Sequence, residues 1–471
     1  MTTGGVAILI VSPLSESNMT QGIRLQEGPT VALLEHFGTG NLGDDSTVEA
    51  VLQQIRRRWP EASIVGLSLN PEDTEKRHGI RSYPIRRTIL TADWWVPSSA
   101  DPVDIKASRD QFKSAVKAVL RKSGLYGVAL PVVDLCREIA FLYRSLRIAR
   151  TFDLLVVSGG GQLLDTWGPW GFPYTLFKWT MLARLSGARY CFLNVGAGPL
   201  TGRLGRWFVK LSLRRGFYVS YRDRKSMALL RSIGYRGEAQ VVADNVYGLR
   251  LPHADARVRK PGPDGLVIGI SPMAYCDPRR YWEKDQAIYN RYIRALAEFG
   301  AQLIRAGHRV RLFSSDIWFD LLAIADLKAA ISEKVADEEW KRLTVDPVKD
   351  VQDLMHELSQ VDCVVTCRYH GVVFAHLANV PVIALAHHPK ISTLMDDFGL
   401  SEYCLDIRGF DASVLMESLR RLIAGMDDLT TRVPRKVAAC RRELDGQFDL
   451  LFPPARSPVK ARAQTLEHDH G

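Results

Sequence analysis

Short apolar segments alternate with amphipathic segments along most of this chain of 471 residues. The apolar segments are rich in Val, Ile and Leu, and the amphipathic ones repeat their apolar residues with helical spacing. Parallel strands need a crossover connection, usually a helix, so this alternation is typical of parallel sheets with crossover helices. Strands are predicted at residues 30–37, 63–69, 154–158, 190–195, 218–220 and 239–242, and again at 266–271, 309–314, 362–367 and 381–386.

The length of the chain and one proline-rich segment predict two domains. A chain of 471 residues exceeds one ordinary domain, whereas two α/β domains of about 200 residues each fit it. Residues 251–265 carry three prolines, two glycines and several charges, which is a linker composition. We therefore predict a doubly wound Rossmann-like domain at residues 30–250 and another at 266–452, facing each other across a cleft.

Four further segments complete this organisation. Residues 1–29 are predicted to be a weakly structured lead, and residues 453–471 a disordered tail. Residues 91–130 fit neither the strand nor the helix pattern, and we expect them to form an insertion over the cleft. Residues 411–452 have a helical pattern, and the last helix is expected to cross back to the first domain.

Lys and Arg outnumber Asp and Glu, which gives a formal net charge of +10. No basic run interleaved with aromatic residues and no zinc-finger or RNA-binding motif is present, so no nucleic-acid partner is predicted. Anionic small substrates or an anionic membrane surface explain the charge better. The segment 135–150 combines four arginines with apolar residues. It can lie on a bilayer, although its pattern favours an ordinary amphipathic surface helix.

Compartment and metal content are predicted from the apolar runs and the cysteines. Every apolar stretch is shorter than the roughly 18 residues of a membrane-spanning helix, and residues 6–11 are too short for a signal-peptide core. Seven cysteines agree with a reducing compartment, so the sequence predicts a cytoplasmic protein. Cys363 and Cys367 share one apolar strand and are predicted to be core residues rather than ligands, and no metal site is predicted.

The triplet Arg368, Tyr369 and His370 follows an apolar strand and precedes a helix expected to begin near Gly371. In α/β proteins such a junction faces the crevice at the carboxyl ends of the strands, where free N–H groups of the helix attract anions. Arg368 can clamp a carboxylate or phosphate, and His370 can move a proton near neutral pH. Strand alternation would place these two on one side and Tyr369 on the other. The alternative is that Arg368 pairs with an acid and His370 caps the helix.

A glycine-rich turn at residues 38–43 matches G-x-G-x-x-G between a strand and a helix. Asp44 and Asp45 at that helix N-terminus would repel a pyrophosphate, which disfavours a nicotinamide or flavin cofactor. We expect Asn41 and Asp44 to contact sugar hydroxyls in the cleft instead.

A second glycine turn contains Ser158, Gly159 and Gly160, and a third spans residues 194–199. Glycine lets a ligand approach the backbone closely, so these turns are candidate substrate contacts, although a sharp turn alone explains any one of them. Arg222 follows another predicted strand and begins a short helix, with Asp223 as its cap. Arg222 therefore either points into the cleft or belongs to a solvated basic face.

Taken together, these residues resemble the polysaccharide pyruvyl transferase family. The resemblance covers roughly residues 30–400 and runs, in the order of the family, through the turn at Gly38, Ser158-Gly159-Gly160-Gly161, Arg222-Asp223-Arg224-Lys225-Ser226, Asp244, Arg368-Tyr369-His370-Gly371 and Pro389-Lys390. It implies a two-domain fold similar to GT-B glycosyltransferases. It also implies transfer of pyruvate from phosphoenolpyruvate to two hydroxyls of a sugar, forming a cyclic ketal, with no further cofactor.

The resemblance implies functional roles for Arg222, Arg368 and His370. Two arginines can neutralise the carboxylate and phosphate of phosphoenolpyruvate without a metal. His370 is the candidate general acid/base, and Asp44 the candidate carboxylate that orients or deprotonates the acceptor hydroxyl. Lys390 is a further candidate substrate contact, although the preceding pair His387-His388 departs from the simplest family pattern, as do residues 91–130.

Two other interpretations of the sequence stay open at this point. A GT-B glycosyltransferase would hold the diphosphate of a nucleotide sugar near Arg368 and His370, with Asp396 or Asp397 on the ribose. A family member without catalytic activity would only bind a glycan or a partner. The acceptor is a free or a lipid-linked saccharide, and a lipid-linked one would give the basic surface a purpose at the inner face of an anionic membrane. Neither the acceptor sugar nor the oligomeric state follows from the sequence.

Overall fold

The computed structural model describes residues 28–35, 40–87, 126–251 and 265–453, with the backbone alone for residues 126–131. Its strands form two parallel sheets with helices on their faces, which confirms the predicted α/β class of two doubly wound, Rossmann-like sheets. Several predicted segments lie largely outside the described residues, namely the lead at 1–29, the insertion at 91–130, the linker at 251–265 and the tail at 453–471, as do residues 36–39 at the first glycine turn.

The first sheet has seven parallel strands in the order β3-β2-β1-β4-β5-β6-β7. Its strands are β1 (Thr30–Leu34), β2 (Ser63–Ser68), β3 (Ser82–Pro84), β4 (Leu154–Ser158), β5 (Arg189–Val195), β6 (Tyr218–Tyr221) and β7 (Gln240–Val241). Its helices are α1 (Leu42–Arg58), α2 (Pro71–His78), α3 (Tyr126–Ala149), α4 (Phe172–Leu185), α5 (Arg203–Leu213) and α6 (Arg224–Ser232). The chain reverses direction across the sheet between β1 and β4, which opens a crevice at their carboxyl ends.

The second sheet has six parallel strands in the order β10-β9-β8-β11-β12-β13. Its strands are β8 (Val267–Ser271), β9 (Arg309–Leu312), β10 (Leu343–Val345), β11 (Cys363–Thr366), β12 (Val382–Ala386) and β13 (Cys404–Asp406). Its helices are α7 (Gln286–Arg305), α8 (Leu321–Ser332), α9 (Val351–Ser359), α10 (Tyr369–Leu377), α11 (Pro389–Asp397), α12 (Ala412–Ala424) and α13 (Met426–Leu451). Here the reversal lies between β8 and β11.

Two expectations from the sequence are corrected by the observed elements. The strands β3, β10 and β13 were not predicted, because each has three residues at a sheet edge and only half-buried or mixed side chains. Helix α10 begins at Tyr369, two residues before the expected start. Tyr369 and His370 are therefore already helical, and successive side chains turn by about 100° rather than alternating.

Helix α13 crosses back from the second sheet to the first, as predicted. Its last turn packs Phe448 and Leu451 into the same apolar cluster as Val31 and Leu33 of β1. Gln447 of this helix is buried and donates hydrogen bonds to Asn194 Oδ1 at 2.9 Å and to neighbouring side chains of β6. These contacts fix the two halves of the chain to each other next to the cleft.

Candidate active site

The site lies where the carboxyl ends of both sheets face each other. Residues at the start of α1 pair with the loop after β9: Leu42 N–H donates to Ser315 O at 3.1 Å, and Ile317 N–H donates to Gly40 O at 3.0 Å. The N-terminus of α1, from the first sheet, is thereby held against the second sheet. A short 3₁₀ helix, Asn245–Gly248, packs between α1, α10 and α13 and brings the preceding Asp244 into the same space.

His370 of α10 lies directly against Gly43 of α1. A Cβ added to Gly43 would be 2.0 Å from His370 Nδ1, so any side chain there would displace the imidazole. The other ring nitrogen, Nε2, is 3.8 Å from Asp244 Oδ2 and forms no hydrogen bond with the described residues. Burial alone would raise the pKa of Asp244, but His370 and Arg222 lower it to about 2. The carboxylate of Asp244 is therefore ionised and lies next to His370, the predicted general acid/base.

Arg222 follows β6 and reaches the same carboxylate. Its Nη1 is 3.5 Å from Asp244 Oδ2, and its guanidinium carbon lies 4.5 Å from the centre of the Tyr369 ring. The guanidinium fits against Gly196, where a Cβ would be 2.7 Å away, and its Nε is buried without a hydrogen-bond partner among the described residues. Arg222 therefore points into the cleft, and the solvated-face alternative is excluded.

Lys390 lies in the first turn of α11, which belongs to the second sheet, and its side chain approaches the Tyr369 ring. Its Nζ lies 5.8 Å from the centre of the Tyr369 ring. Burial and the neighbouring Arg222 lower the pKa of Lys390 to about 8, although Asp44 acts in the opposite direction. Two cations from different sheets thus approach one aromatic ring, and both carry N–H donors for an anion.

Arg368 occupies the N-cap position of α10, and its side chain pairs with two acids that follow β9. Its Nε and Nη2 donate to the two carboxylate oxygens of Asp320 at 2.8 and 2.7 Å, and Nη2 is 3.1 Å from Asp316 Oδ2. Burial and the charge of Asp320 raise the pKa of Asp316 to about 7, against the opposing effect of Arg368. The predicted alternative, that Arg368 pairs with an acid, is therefore observed. Strand alternation does not apply to Arg368 and His370, because α10 begins at Tyr369; Arg368 contacts the acids after β9, whereas His370 lies against Gly43.

Asp44 is half-buried near the cationic group, whereas Glu35 lies fully buried beneath it. Burial raises the pKa of Asp44, and the nearby His370 acts in the opposite direction. Burial, followed by the charge of Asp44, raises the pKa of Glu35 well above its ordinary value. Ser158 Oγ donates to Glu35 Oε2 at 3.1 Å, and Oε1 has no hydrogen-bond partner among the described residues. Folding therefore favours the protonated form of Glu35.

The remaining predicted contacts have structural partners. The Asn41 side chain accepts from Gly43 N–H at 3.0 Å and so caps α1. Ser158 is fully buried on Glu35, so its hydroxyl does not reach the cleft. Gly159 and Gly160 have φ of 47° and 59°, and a Cβ on Gly159 would be 2.1 Å from Thr47 Cγ2. This turn requires glycine for its backbone and for packing on α1, which is the alternative that the sequence left open.

Sequence reasoning did not find the acids that hold Arg368. Asp316 and Asp320 follow β9 and are far from Arg368 in sequence, so no local spacing signals the pair. Their only sequence signal is their position after a strand end. Glu35 carries a similar signal at the end of β1.

The two histidines before Lys390 have local roles. The Nδ1 atom of His387 lies 3.0 Å from Cys367 O, and His388 caps α11 by accepting from Lys390 N–H at 3.2 Å. Burial, followed by the charge of Lys390, lowers the pKa of His387 to about 3 and that of His388 to about 4. Both are therefore neutral in the cleft wall. Cys363 and Cys367 are buried in the core, as predicted.

Two doubly wound sheets that meet around a cluster of cations and carboxylates define a two-domain protein of the GT-B-like class. The sequence profile described as polysaccharide pyruvyl transferase matches residues 41–389 of this chain. The chain belongs to the polysaccharide pyruvyl transferase family. The predicted resemblance is confirmed, and the matched range includes Arg222, Arg368 and His370.

Solved structures with a similar arrangement share little sequence with this chain. UDP-GlcNAc 2-epimerase from Neisseria meningitidis bound to UDP-GlcNAc is 11% identical, with 86% of this chain and 94% of that chain covered and a TM-score of 0.48. A putative UDP-N-acetylglucosamine 2-epimerase from Listeria monocytogenes is 10% identical, with 86% and 91% covered and a TM-score of 0.48. ADP-heptose LPS heptosyltransferase II from E. coli is 15% identical, with 85% and 99% covered and a TM-score of 0.39. No curated protein matched the sequence.

Within the described ranges, no helix is long and apolar enough to cross a bilayer. The same residues contain no group of three or more His, Cys, Asp or Glu side chains arranged to hold a metal ion.

Proposed function

We propose that this protein transfers the pyruvyl group of phosphoenolpyruvate to two hydroxyls of a saccharide, forming a cyclic ketal. The observation that carries the proposal is the pair Arg222 and Lys390, which approach one ring, that of Tyr369, from different sheets. His370 is the next residue of the same helix turn. Phosphoenolpyruvate is a compact dianion or trianion, and a cationic pair of this kind is suited to it.

The reaction requires one proton to be placed and two to be removed. The first acceptor hydroxyl adds to C2 of phosphoenolpyruvate while C3 receives a proton. Phosphate then leaves, and the second hydroxyl attacks the resulting oxocarbenium carbon. Of the two hydroxyl protons, one balances the proton gained by C3 and the other leaves with phosphate. We assign the proton transfers to His370, with Asp244 stabilising the imidazolium from 3.8 Å.

Arg368 has a different proposed role from Arg222. Its Nε and Nη2 are committed to Asp320 and Asp316, while Nη1 forms no hydrogen bond with the described residues. One amino group of a rigidly held guanidinium is then available to the carboxylate of the donor. This arrangement supports Arg368 as an orienting contact and Arg222 with Lys390 as the main counter-charge.

The acceptor is proposed to enter beside Asp44 and to pack against the outer faces of two exposed indoles that contact each other. Trp167, in the loop after β4, and Trp282, in the loop after β8, have ring centres 6.5 Å apart. Tyr281 stacks on Trp282 and lies close enough to Arg368 to affect its pKa. Aromatic faces at a cleft mouth suit the apolar faces of pyranose rings, and Asp44 can orient a hydroxyl.

A nucleotide-sugar donor is less well supported by the geometry. Asp396 and Asp397, the candidates for a ribose contact, lie in the last turn of α11 and are exposed. The first turn of that helix carries Lys390, so the acids lie roughly 10 Å further along the helix axis.

The proposal is tested by phosphate release from phosphoenolpyruvate with a panel of free and lipid-linked saccharides. We expect release that requires an acceptor and falls at least about 100-fold in Arg222→Ala. The matched control is Arg224→Ala, because Arg224 is exposed two residues further on. No release with any acceptor, combined with thermal stabilisation by UDP but not by phosphoenolpyruvate, would overturn the proposal in favour of a nucleotide-sugar donor.

A further inference from the structure

One stretch of the first sheet is strongly basic. Residues 166–222 contain no Asp or Glu, although the whole chain has 52. The same stretch contains nine basic residues: Lys178, Arg184, Arg189, Arg203, Arg206, Lys210, Arg214, Arg215 and Arg222. Of these nine residues, Arg222 alone belongs to the candidate active site. The stretch comprises α4, β5, α5 and β6, so most of its charge lies on helices that cover one face of the first sheet.

Helix α5 concentrates this charge on its outward side. Arg203, Trp207, Lys210 and Arg214 follow one another at spacings of four, three and four residues, which places them on one stripe. Val209 and Leu213, on the other side of the helix, pack into the apolar cluster of the first sheet, whereas Phe208 packs against aromatic rings of α4. A basic amphipathic helix of this pattern is typical of a protein segment that lies in a membrane interface.

Trp207 is held in place rather than buried. Its ring centre lies 5.7 Å from that of Phe177 and 5.2 Å from that of Phe208, yet 48% of the residue is exposed. Leu204, one turn earlier, is 40% exposed. Indole rings favour the boundary between headgroups and acyl chains, where an apolar body and a polar N–H are both satisfied.

The exposed apolar surface continues on both sides of α4. Trp170, just before α4, contacts Phe208 with ring centres 5.7 Å apart and is 65% exposed. Helix α3 packs on α4 and exposes Leu135, Ile139 and Tyr143, which follow at four-residue spacing. Three helices therefore carry exposed apolar side chains; basic side chains of α5 lie beside them, and α3 also carries Asp134 and Glu138.

We infer that the outer face of α5, with Trp170 and the exposed stripe of α3, docks on a bilayer surface that contains anionic phospholipids. The basic stripe complements lipid phosphates, and the aromatic and aliphatic side chains enter the interface. Trp170 and the N-terminus of α5 follow the carboxyl ends of β4 and β5, so this face adjoins the cleft. The inference stands independently of the donor chemistry, and a docked protein would meet lipid-linked saccharides at its cleft.

The test is co-sedimentation of the full chain with vesicles of phosphatidylcholine alone and with added phosphatidylglycerol. The charge variant is Arg203→Gln/Lys210→Gln/Arg214→Gln. Its matched control is Arg420→Gln/Arg435→Gln/Arg442→Gln, which removes the same charge from exposed positions of α12 and α13. Each basic residue near such a surface contributes roughly fivefold, so the charge variant should lower partitioning about 100-fold and the control little.

The apolar contribution is tested separately with Leu204→Ser/Trp207→Ser, for which we expect about a tenfold loss of partitioning. Unchanged thermal unfolding of each variant shows that the fold is retained. Absence of binding to phosphatidylglycerol vesicles, or equal binding by the charge variant and its control, overturns the inference. A concentration-dependent dimer that the charge variant abolishes, without vesicle binding, overturns it in favour of a protein partner. Failure of phosphoenolpyruvate turnover with intact vesicle binding overturns only the proposed function.

Discussion

The two arginines of the site differ in how completely the protein itself satisfies them. Arg368 is held bidentately by Asp320 and also by Asp316, all within the second sheet. Arg222 lies 3.5 Å from Asp244 Oδ2 and 3.7 Å from Asp223 Oδ2, and its Nε has no hydrogen-bond partner among the described residues. A saturated pair orients a group and stabilises the fold, whereas an undersatisfied buried cation has capacity left for a ligand. This difference supports our proposal that the donor binds at Arg222, Lys390 and His370.

The largest expected effect is on catalysis, from His370→Ala. Loss of a general acid/base lowers kcat by about 10²–10⁴-fold, while binding of phosphoenolpyruvate should persist because Arg222 and Lys390 remain. The measurement is phosphate release at saturating donor, compared with thermal stabilisation by the donor. His356→Ala, at an exposed position of α9, is the control. Retention of most of the activity would show that the proton transfers belong to another group.

The two arginines are also expected to contribute differently to the free energy of unfolding. Arg368→Ala leaves two buried carboxylates without their cation and should lower the free energy of unfolding by about 3–5 kcal/mol. Arg222→Ala should lower it by only about 1–2 kcal/mol, since Asp244 keeps His370 and the Val246 N–H as partners. Denaturant unfolding of both variants measures the difference. Equal losses would mean that Arg222 is as structural as Arg368.

The contact between α1 and α10 predicts a strong effect of Gly43→Ala. The added methyl group would overlap His370, so the imidazole must move and turnover should fall about 100-fold. Gly446→Ala on α13 is the matched control, because nothing lies near its Cβ position. We expect that variant to be active and slightly more stable. An active Gly43→Ala protein would contradict the proposed position of His370 during catalysis.

The pH dependence of the donor site should report Lys390. With a pKa of about 8, this amine is charged at neutral pH and loses its charge as the pH rises further. The value of kcat/KM for phosphoenolpyruvate should therefore fall above pH 8, by about tenfold per pH unit. Lys390→Arg keeps the charge and should remove this decline. A decline that persists in Lys390→Arg would assign it to another group.

The smallest expected effect is stabilisation by Glu35→Gln. The raised pKa favours the protonated form of Glu35 in the folded protein, while Glu35 of the unfolded chain ionises above its ordinary pKa of 4.5. Folding stability thus decreases as the pH rises from 4.5 towards the folded pKa, and glutamine removes this loss. The gain should grow as the pH rises above 4.5 and should vanish below pH 4. Thermal unfolding across this range, with Glu333→Gln at an exposed position as control, measures it; a gain independent of pH would contradict the assignment.

The architecture and the family could be predicted from the amino-acid sequence. Long apolar strands followed by amphipathic helices predicted ten strands that are observed, because strong local periodicity survives in any tertiary context. It missed β3, β10 and β13, since three-residue edge strands are defined by a neighbouring strand rather than by their own pattern. The order of the motifs likewise identified Arg222, Arg368 and His370 as candidate site residues from the sequence.

The contacts of these residues could not be predicted from the sequence and are seen in the folded protein. Three contacts of the site join segments that are distant in sequence. Gly43 lies against His370, Asp244 lies between His370 and Arg222, and Asp316 and Asp320 pair with Arg368. Desolvation and charge at such contacts set the protonation of Asp244 and Lys390, and both depend on packing in three dimensions rather than on neighbours in the chain. The sequence specifies residue types and local periodicity. The distances between site residues and the burial of their side chains depend on how the two sheets pack against each other.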